Sequence, residues 1–391
     1  MQIHRYTDAE AALRHPHLQQ ALYDAGAQVM ADALITLHGD AHSQRRICEY
    51  QVFNRRFFRQ YESVIFPQTL EPLLAHYIAA GRADLVELGY RATMNLTADF
   101  AGIDRPSGTL EETESLLSLV KTFSTGATMV HHTGDKLAVR KAVDEALVVF
   151  DETFLQPSIR RRLGLIETGQ ALPNDVLSTL LDSDLQLATD VLLREMSFYL
   201  QAGAHSTANA ITHAFHELVC YCEDRQLALK EMLHDLTLLQ RCVHESLRLH
   251  PASPVAWRRT VQPTRVNEQA LPLGTKVVID MRQANRDKTI FGDDAQSFNP
   301  QRRLPAGVPP WGLTFGTGAH ACLGRALDGG LVAGDKQTNT HQLGIVTLMI
   351  KTLLSLGAQP IESEPPRKDP NTSRDNWGYY PVQLNTEDNH P

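Results

Sequence analysis

The chain has 391 residues, 42% of them hydrophobic and 21% charged, with a formal net charge of −8. That balance is ordinary for a globular enzyme with a large core, and it excludes both a disordered chain and a basic nucleic-acid binder. Five cysteines (Cys48, Cys220, Cys222, Cys242 and Cys322), sparse and odd in number, give no disulfide framework and point to a reducing cytoplasm.

The opening residues, Met1 to Tyr6, contain no apolar signal core, and no membrane-length apolar span follows, so no membrane anchor is expected. Helical periodicity dominates from about residue 7 to about residue 250. Within it His42 and Arg46 stand four apart and share one helix face, where a donor and a cation suit a dicarboxylate. The alternative for this stretch is a basic solvated face.

The longest helix is predicted from Ala188 to Cys222, and midway along its apolar stripe lies Ala202-Gly203-Ala204-His205-Ser206-Thr207. Hydroxyls donate and accept, and histidine titrates near neutrality, so His205, Ser206 and Thr207 are candidates for moving protons. A second helix is predicted from Leu229 to His250, stopping before Pro251 and carrying Glu245 and Arg248 on one face. Strands are expected from Lys276 to Asp280 and from Tyr379 to Leu384.

Between those strands lies Phe315-Gly316-Thr317-Gly318-Ala319-His320-Ala321-Cys322-Leu323-Gly324, a glycine-punctuated loop ahead of an apolar stretch. The glycines let amide N–H groups approach the sulfur, and Phe315 shields one side. This loop presents Cys322 as an axial ligand or a nucleophile. Asp328 to Thr340 then reads as a polar, glycine-rich interruption before a helix over Leu343 to Leu356. With no repeats and no linker, the reading is one domain over 1–391, mainly α with minor β, and a frayed tail over 385–391.

The loop resembles the haem-binding signature of the cytochrome P450 family, Phe-x-x-Gly-x-x-x-Cys-x-Gly. The resemblance implies the cytochrome P450 fold, haem b as cofactor and Cys322 as the thiolate ligand of its iron. It further implies that Phe315 and Gly324 shape the ligand loop, and that His42, Arg46, Arg259 and His320 meet the haem propionates. Arg258 is adjacent to Arg259, and the register of that contact is open to a slip of one. Glu245-x-x-Arg248 resembles the family's Glu-x-x-Arg pair, joined by Arg302 from Phe298-Asn299-Pro300-Gln301-Arg302, which implies a buried structural triad.

His205 and Ser206 stand where the family carries an acid and a threonine that deliver protons, with Thr207 as a further hydroxyl. Substrate is expected near Ala202, Val255, Ala256 and Trp257, the connection from Ala25 to Leu37, and residues 376–379. The family's opening helix and first two sheet strands are expected to be missing from the 41 residues before His42, leaving an exposed edge. The implied activity is monooxygenation of a mid-sized organic substrate with O2 and two electrons. Those electrons would come from a ferredoxin or flavodoxin with its reductase, docked on Arg45, Arg55, Arg56, Arg302, Arg303 and Arg325. The departure at His205 leaves two rivals: an atypical oxidation (peroxide-driven, coupling, desaturating or rearranging), and a redox-inactive haem-containing recruitment module.

Overall fold

The computed structural model describes residues 1–331 and 341–385. Its centre is a helix from Thr189 to Glu223, one residue displaced from the predicted bounds at each end. Leu192, Met196, Leu200, Ile211, Phe215 and Leu218 recur at helical spacing and are buried along it. The helix Leu85–Ala101 packs against it through a seam of small residues. A Cβ on Gly203 would lie 2.5 Å from Thr97 Oγ1, and one on Gly89 would lie 3.4 Å from Ala208. Across the same seam the Thr93 hydroxyl sits 3.0 Å from the Ala204 carbonyl. Close backbone approach fixes which face of the central helix is left to border a cavity.

The helix predicted over Leu229 to His250 is two pieces, a 3₁₀ helix Leu229–His234 and an α-helix Leu236–Leu249. Asp235 divides them, because its carboxylate accepts from the Leu238 N–H at 2.9 Å and caps the second piece. Strand Lys276–Asp280 forms as predicted. It pairs antiparallel with Val255–Thr260 and parallel with Gln2–Ile3, while Leu18–Gln20 pairs with the far side of Val255–Thr260. The residues before His42 therefore supply a helix, Tyr6–Leu13, and both edges of this four-stranded sheet.

The predicted strand Tyr379 to Leu384 is split. Trp377–Tyr379 pairs with Arg367–Lys368, whereas Pro381–Gln383 pairs with Arg82–Asp84 and Gln359–Pro360. The break falls at Tyr380, whose N–H goes to the Asp84 carboxylate at 2.9 Å and whose ring packs edge-on against Phe215.

After the cysteine loop a short helix, Arg325–Gly329, ends at Gly330 (φ +74°), and Leu331 bridges back to Gln342 before helix Ile345–Ser355. Gly330 has no room for a side chain, since a Cβ there would meet the Gln342 carbonyl at 2.3 Å. Residues 332–340 of the expected insertion and 386–391 of the expected tail lie outside the described residues. Among the described residues no helix is long and apolar enough to cross a membrane.

Candidate haem-thiolate site

The cysteine loop is closed by the Cys322 N–H, which donates to the Phe315 carbonyl at 2.8 Å. Gly316 and Gly318 adopt φ of +62° and +72°, conformations that side-chain-bearing residues disfavour, so the turn depends on them. The Gly324 N–H is hydrogen-bonded to the sulfur, and Arg46 and Arg325 lie near enough to favour the thiolate. Burial outweighs them, with Asp328 adding to it, and the thiol is pushed up to about 11. Cys322 is exposed only in the sense that it borders an internal cavity of about 330 Å³; it does not lie on the outer surface. A thiol so placed ionises when a cation binds its sulfur.

One edge of the cavity carries His42, Arg46, Arg258 and His320. The His42 and His320 rings are 4.2 Å apart, and Arg46 Nη2 donates to the Ala321 carbonyl at 2.6 Å. Desolvation first, then the neighbouring cations, lowers His42 to about 4 and His320 to about 3, so both rings are neutral near pH 7. His42 Nε2 is sealed from solvent without a hydrogen-bond partner. A haem fits these residues: its propionates would answer His42 Nε2 and the two arginines, while Cys322 would hold the iron. Among the described residues no group of three or more His, Cys, Asp or Glu could hold a metal ion, so Cys322 suits a metal that brings its own ring of ligands.

Arg259 does not join this edge. On the strand Val255–Thr260 successive side chains point to opposite faces, so Ala256 and Arg258 border the cavity whereas Val255, Trp257 and Arg259 turn away. Arg259 pairs with Asp24 near the surface, and the Trp257 ring lies 3.0 Å beneath the Lys276 ammonium. Arg258, one residue from the expected Arg259, is thus the arginine of this strand that borders the cavity, and Val255 and Trp257 do not line it. Of the expected substrate positions, Ala202, Ala256, Leu34 and Ile35 border the cavity and residues 376–379 do not.

The central helix presents Ala202, His205, Ser206 and Thr207 to the same cavity that Cys322 borders. The helix runs through this stretch unbroken, and its hydroxyls are already engaged. Ser206 Oγ donates to the Ala202 carbonyl at 2.6 Å, and Thr207 Oγ1 donates to Asp328 Oδ1 at 2.8 Å. His205 Nδ1 lies 2.5 Å from the Tyr90 hydroxyl, and its Nε2 is buried without a partner. Burial, then Arg374 and His131, holds this ring well below its usual range, so it is neutral. Burial lifts Asp328 to about 7 against the stabilising Thr207 bond.

Motif reading did not find Tyr90, Asp328 or Arg374: Tyr90 and Asp328 meet the central helix at His205 and Thr207, and Arg374 borders the cavity, each from an element distant in sequence. For Asp328 one signal existed: an acid within a turn of the cysteine loop, in an otherwise apolar helix start.

Glu245, Arg248 and Arg302 form the expected triad. Glu245 receives Arg248 Nη2 at 2.7 Å and Arg302 Nη2 at 3.1 Å, with the Asn299 N–H at 3.0 Å. Arg248, 0% exposed, also donates to the carbonyls of Asn285 and Ala295. Arg302 is therefore interior and cannot dock a partner. Neither can Arg45, which pairs with the buried Glu195 at 2.7 Å. Arg55, Arg56, Arg303 and Arg325 are exposed.

A largely helical protein with one loop cysteine, a histidine–arginine edge and a long helix all bordering one cavity has the arrangement a haem-thiolate protein needs. The family profile named Cytochrome P450 matches residues 136–327. Sugiol synthase of Salvia miltiorrhiza is 24% identical over 350 residues, covering 79% of this chain and 70% of that protein. Cytochrome P450 734A1 of Arabidopsis thaliana is 27% identical over 181 residues, 41% of this chain. The chain spans only 34% of that Arabidopsis protein, and 18% of the cytochrome P450 monooxygenase mpaDE of Penicillium roqueforti, which is 33% identical over 156 residues. Among solved structures CalO2 aligns with a TM-score of 0.76 at 18% identity, covering 98% of this chain and 90% of that one. P450BioI, in complex with an acyl carrier protein ligated to hexadec-9Z-enoic acid, aligns at 0.75 and 17%, covering 98% and 92%. Over residues 136–327, just under half its length, the chain is similar to the cytochrome P450 family, and over nearly its whole length it shares the fold of solved cytochrome P450 structures.

Proposed function

We propose that the chain is a haem b monooxygenase that oxidises a mid-sized organic substrate. The observation that carries this is that Cys322, the histidine–arginine edge and the His205–Thr207 segment border one cavity. The haem, when bound, supplies the oxygen chemistry: one atom of O2 enters the substrate, and the other leaves as water with two electrons and two protons. The chain's own residues orient the cofactor through His42, Arg46, Arg258 and His320, keep Cys322 in a dry loop, and manage protons from the central helix.

Electrons come from a separate ferredoxin or flavodoxin with its reductase. Arg55, Arg56, Arg303 and Arg325 are the exposed cations available to an acidic partner. A cytoplasmic setting accords with five cysteines that remain unpaired.

A second reading, oxidation driven by peroxide, is favoured by one feature of the helix. Neutral His205 is held by Tyr90 while Ser206 and Thr207 spend their protons on Ala202 and Asp328. Peroxide brings its own protons and needs no such supply. Substrate-dependent oxygen uptake with a surrogate ferredoxin system supports the monooxygenase. Turnover with hydrogen peroxide alone supports the second reading, and turnover under neither regime contradicts both.

A further inference from the structure

Away from the histidine–arginine edge, the cavity has a second polar pole, of which the proposed chemistry uses only His205. Arg374, His131 and His205 all border it. Arg374 sits at the tip of the turn between strands Arg367–Lys368 and Trp377–Tyr379, and this tip is anchored on the chain at 131–133. Ser373 N–H donates to the His131 carbonyl at 2.8 Å, and Thr133 N–H donates to the Asn371 carbonyl at 3.2 Å.

The guanidinium spends little of its donor capacity. Nη1 donates to the Ala252 carbonyl and Nη2 to Thr128 Oγ1, each at 3.2 Å. Nε is sealed from solvent with no partner, as are His131 Nε2 and His205 Nε2. Among the described residues Arg374 makes no ion pair; the carboxylate that influences it is Asp369, on the same turn. Arg45, Arg248 and Arg302, by contrast, each have a carboxylate, and buried Arg258, which bonds Gln20 and the Trp257 carbonyl, is the arginine a haem propionate would answer. An arginine stays protonated in a protein, so an unpaired one beside an apolar cavity carries an uncompensated desolvation penalty.

The pole is also distinct from the cofactor edge. The cations felt by His320 are Arg258 and Arg46, whereas Arg374 is the one felt by His131 and His205. Tyr23, which borders the same cavity, feels both Arg374 and Arg258. Leu34, Ile35, Leu96, Phe100 and Phe198 supply apolar wall to the same cavity.

We infer that the substrate is an organic carboxylate, its acid group paired with Arg374 and its apolar body lying along the remaining wall. Two carboxylate oxygens match the unused N–H groups of the fork, and the imidazoles of His131 and His205 offer further donors. This rests on the cavity being the substrate site of the haem protein proposed above.

The test is equilibrium dialysis of the haem-loaded protein against matched acid and alcohol pairs: dodecanoate with dodecan-1-ol, and 4-phenylbutyrate with 4-phenylbutan-1-ol. At least one acid is expected to bind roughly tenfold tighter than its alcohol, as one charge-assisted contact provides. Arg374→Gln is expected to erase that preference while alcohol binding holds, and Arg374→Lys to keep part of it. Alcohols that match both acids, or an Arg374→Gln loss shared equally by acid and alcohol, would overturn the inference. Should Arg374→Gln not retain haem, His131→Gln carries the test: a severalfold loss confined to the acid supports the inference, and no loss overturns it. Haem content, read separately from the visible spectrum, reports on the underlying haem reading, so the two failures are told apart.

Discussion

Thr207 Oγ1 donates to Asp328 Oδ1 at 2.8 Å, tying the central helix to the short helix that follows the cysteine loop. The bond draws the hydroxyl of Thr207 toward the cysteine side of the cavity and gives a buried carboxyl its one favourable partner.

Asp328 is raised from 3.8 to about 7, chiefly by burial. Its folded form thus holds a proton that the unfolded chain has already lost, so its contribution opposes folding as pH rises through that window. Stability conferred on the wild type should fall between about pH 4 and pH 7 relative to Asp328→Asn. Below that window the two proteins should unfold at equal urea concentrations apart from a constant offset. Above it the variant should gain on the wild type by on the order of 1–4 kcal/mol. An offset that does not change with pH would show that Asp328 is ionised throughout.

Tyr90 and His205 are joined at 2.5 Å, and the Asn209 side chain also reaches the Tyr90 hydroxyl. We assign the phenol as donor to Nδ1, since burial raises Tyr90 to about 12 and keeps it protonated. Tyr90→Phe leaves a buried imidazole with no partner on either nitrogen. It should lower stability by about 1–3 kcal/mol in thermal or urea unfolding. A change within a few tenths would mean that the contact is not maintained in solution.

Arg258 and Arg259 are neighbours in sequence with opposite fates. Arg258→Ala removes a cation at the cofactor edge and should weaken haem retention severalfold, measured as transfer of haem to excess apomyoglobin. Arg259→Ala frees only Asp24 at the surface and should leave the transfer rate unchanged. Equal effects would contradict the strand register.

Glu245 neutralises two interior guanidiniums, Arg248 and Arg302. Glu245→Ala strands Arg248, leaves Arg302 only Asp294, and should reduce stability by about 3–5 kcal/mol, read from urea unfolding or from loss of folded protein on expression. A loss below about 1 kcal/mol would place the arginines in contact with water.

What the sequence disclosed and what it hid divide along physical lines. The cysteine loop, the His42–Arg46 face and the Glu245–Arg248 pair are legible because a few consecutive residues or a single helix turn bring their members together. Arg258 and Arg259 could not be told apart, since a strand's facing is set by its partners Lys276–Asp280 and Leu18–Gln20. Arg45 was assigned to the surface because nothing local announces that Glu195, 150 residues away, waits for it. Tyr90, Asp328 and Arg374 meet the central helix or its cavity from far along the chain, and single-sequence periodicity carries no trace of such meetings. The strand at Tyr380 failed for a related reason: its amide is taken by the Asp84 side chain, not by a backbone carbonyl of a neighbouring strand.

The central claim is that the sulfur of Cys322 holds a haem iron, and the dithionite-reduced protein under carbon monoxide tests it most directly. The account predicts the red-shifted Soret band from which the family takes its name, present in the wild type and absent from Cys322→Ser. A wild-type protein that takes up no hemin, or a serine variant with an unaltered spectrum, would contradict it.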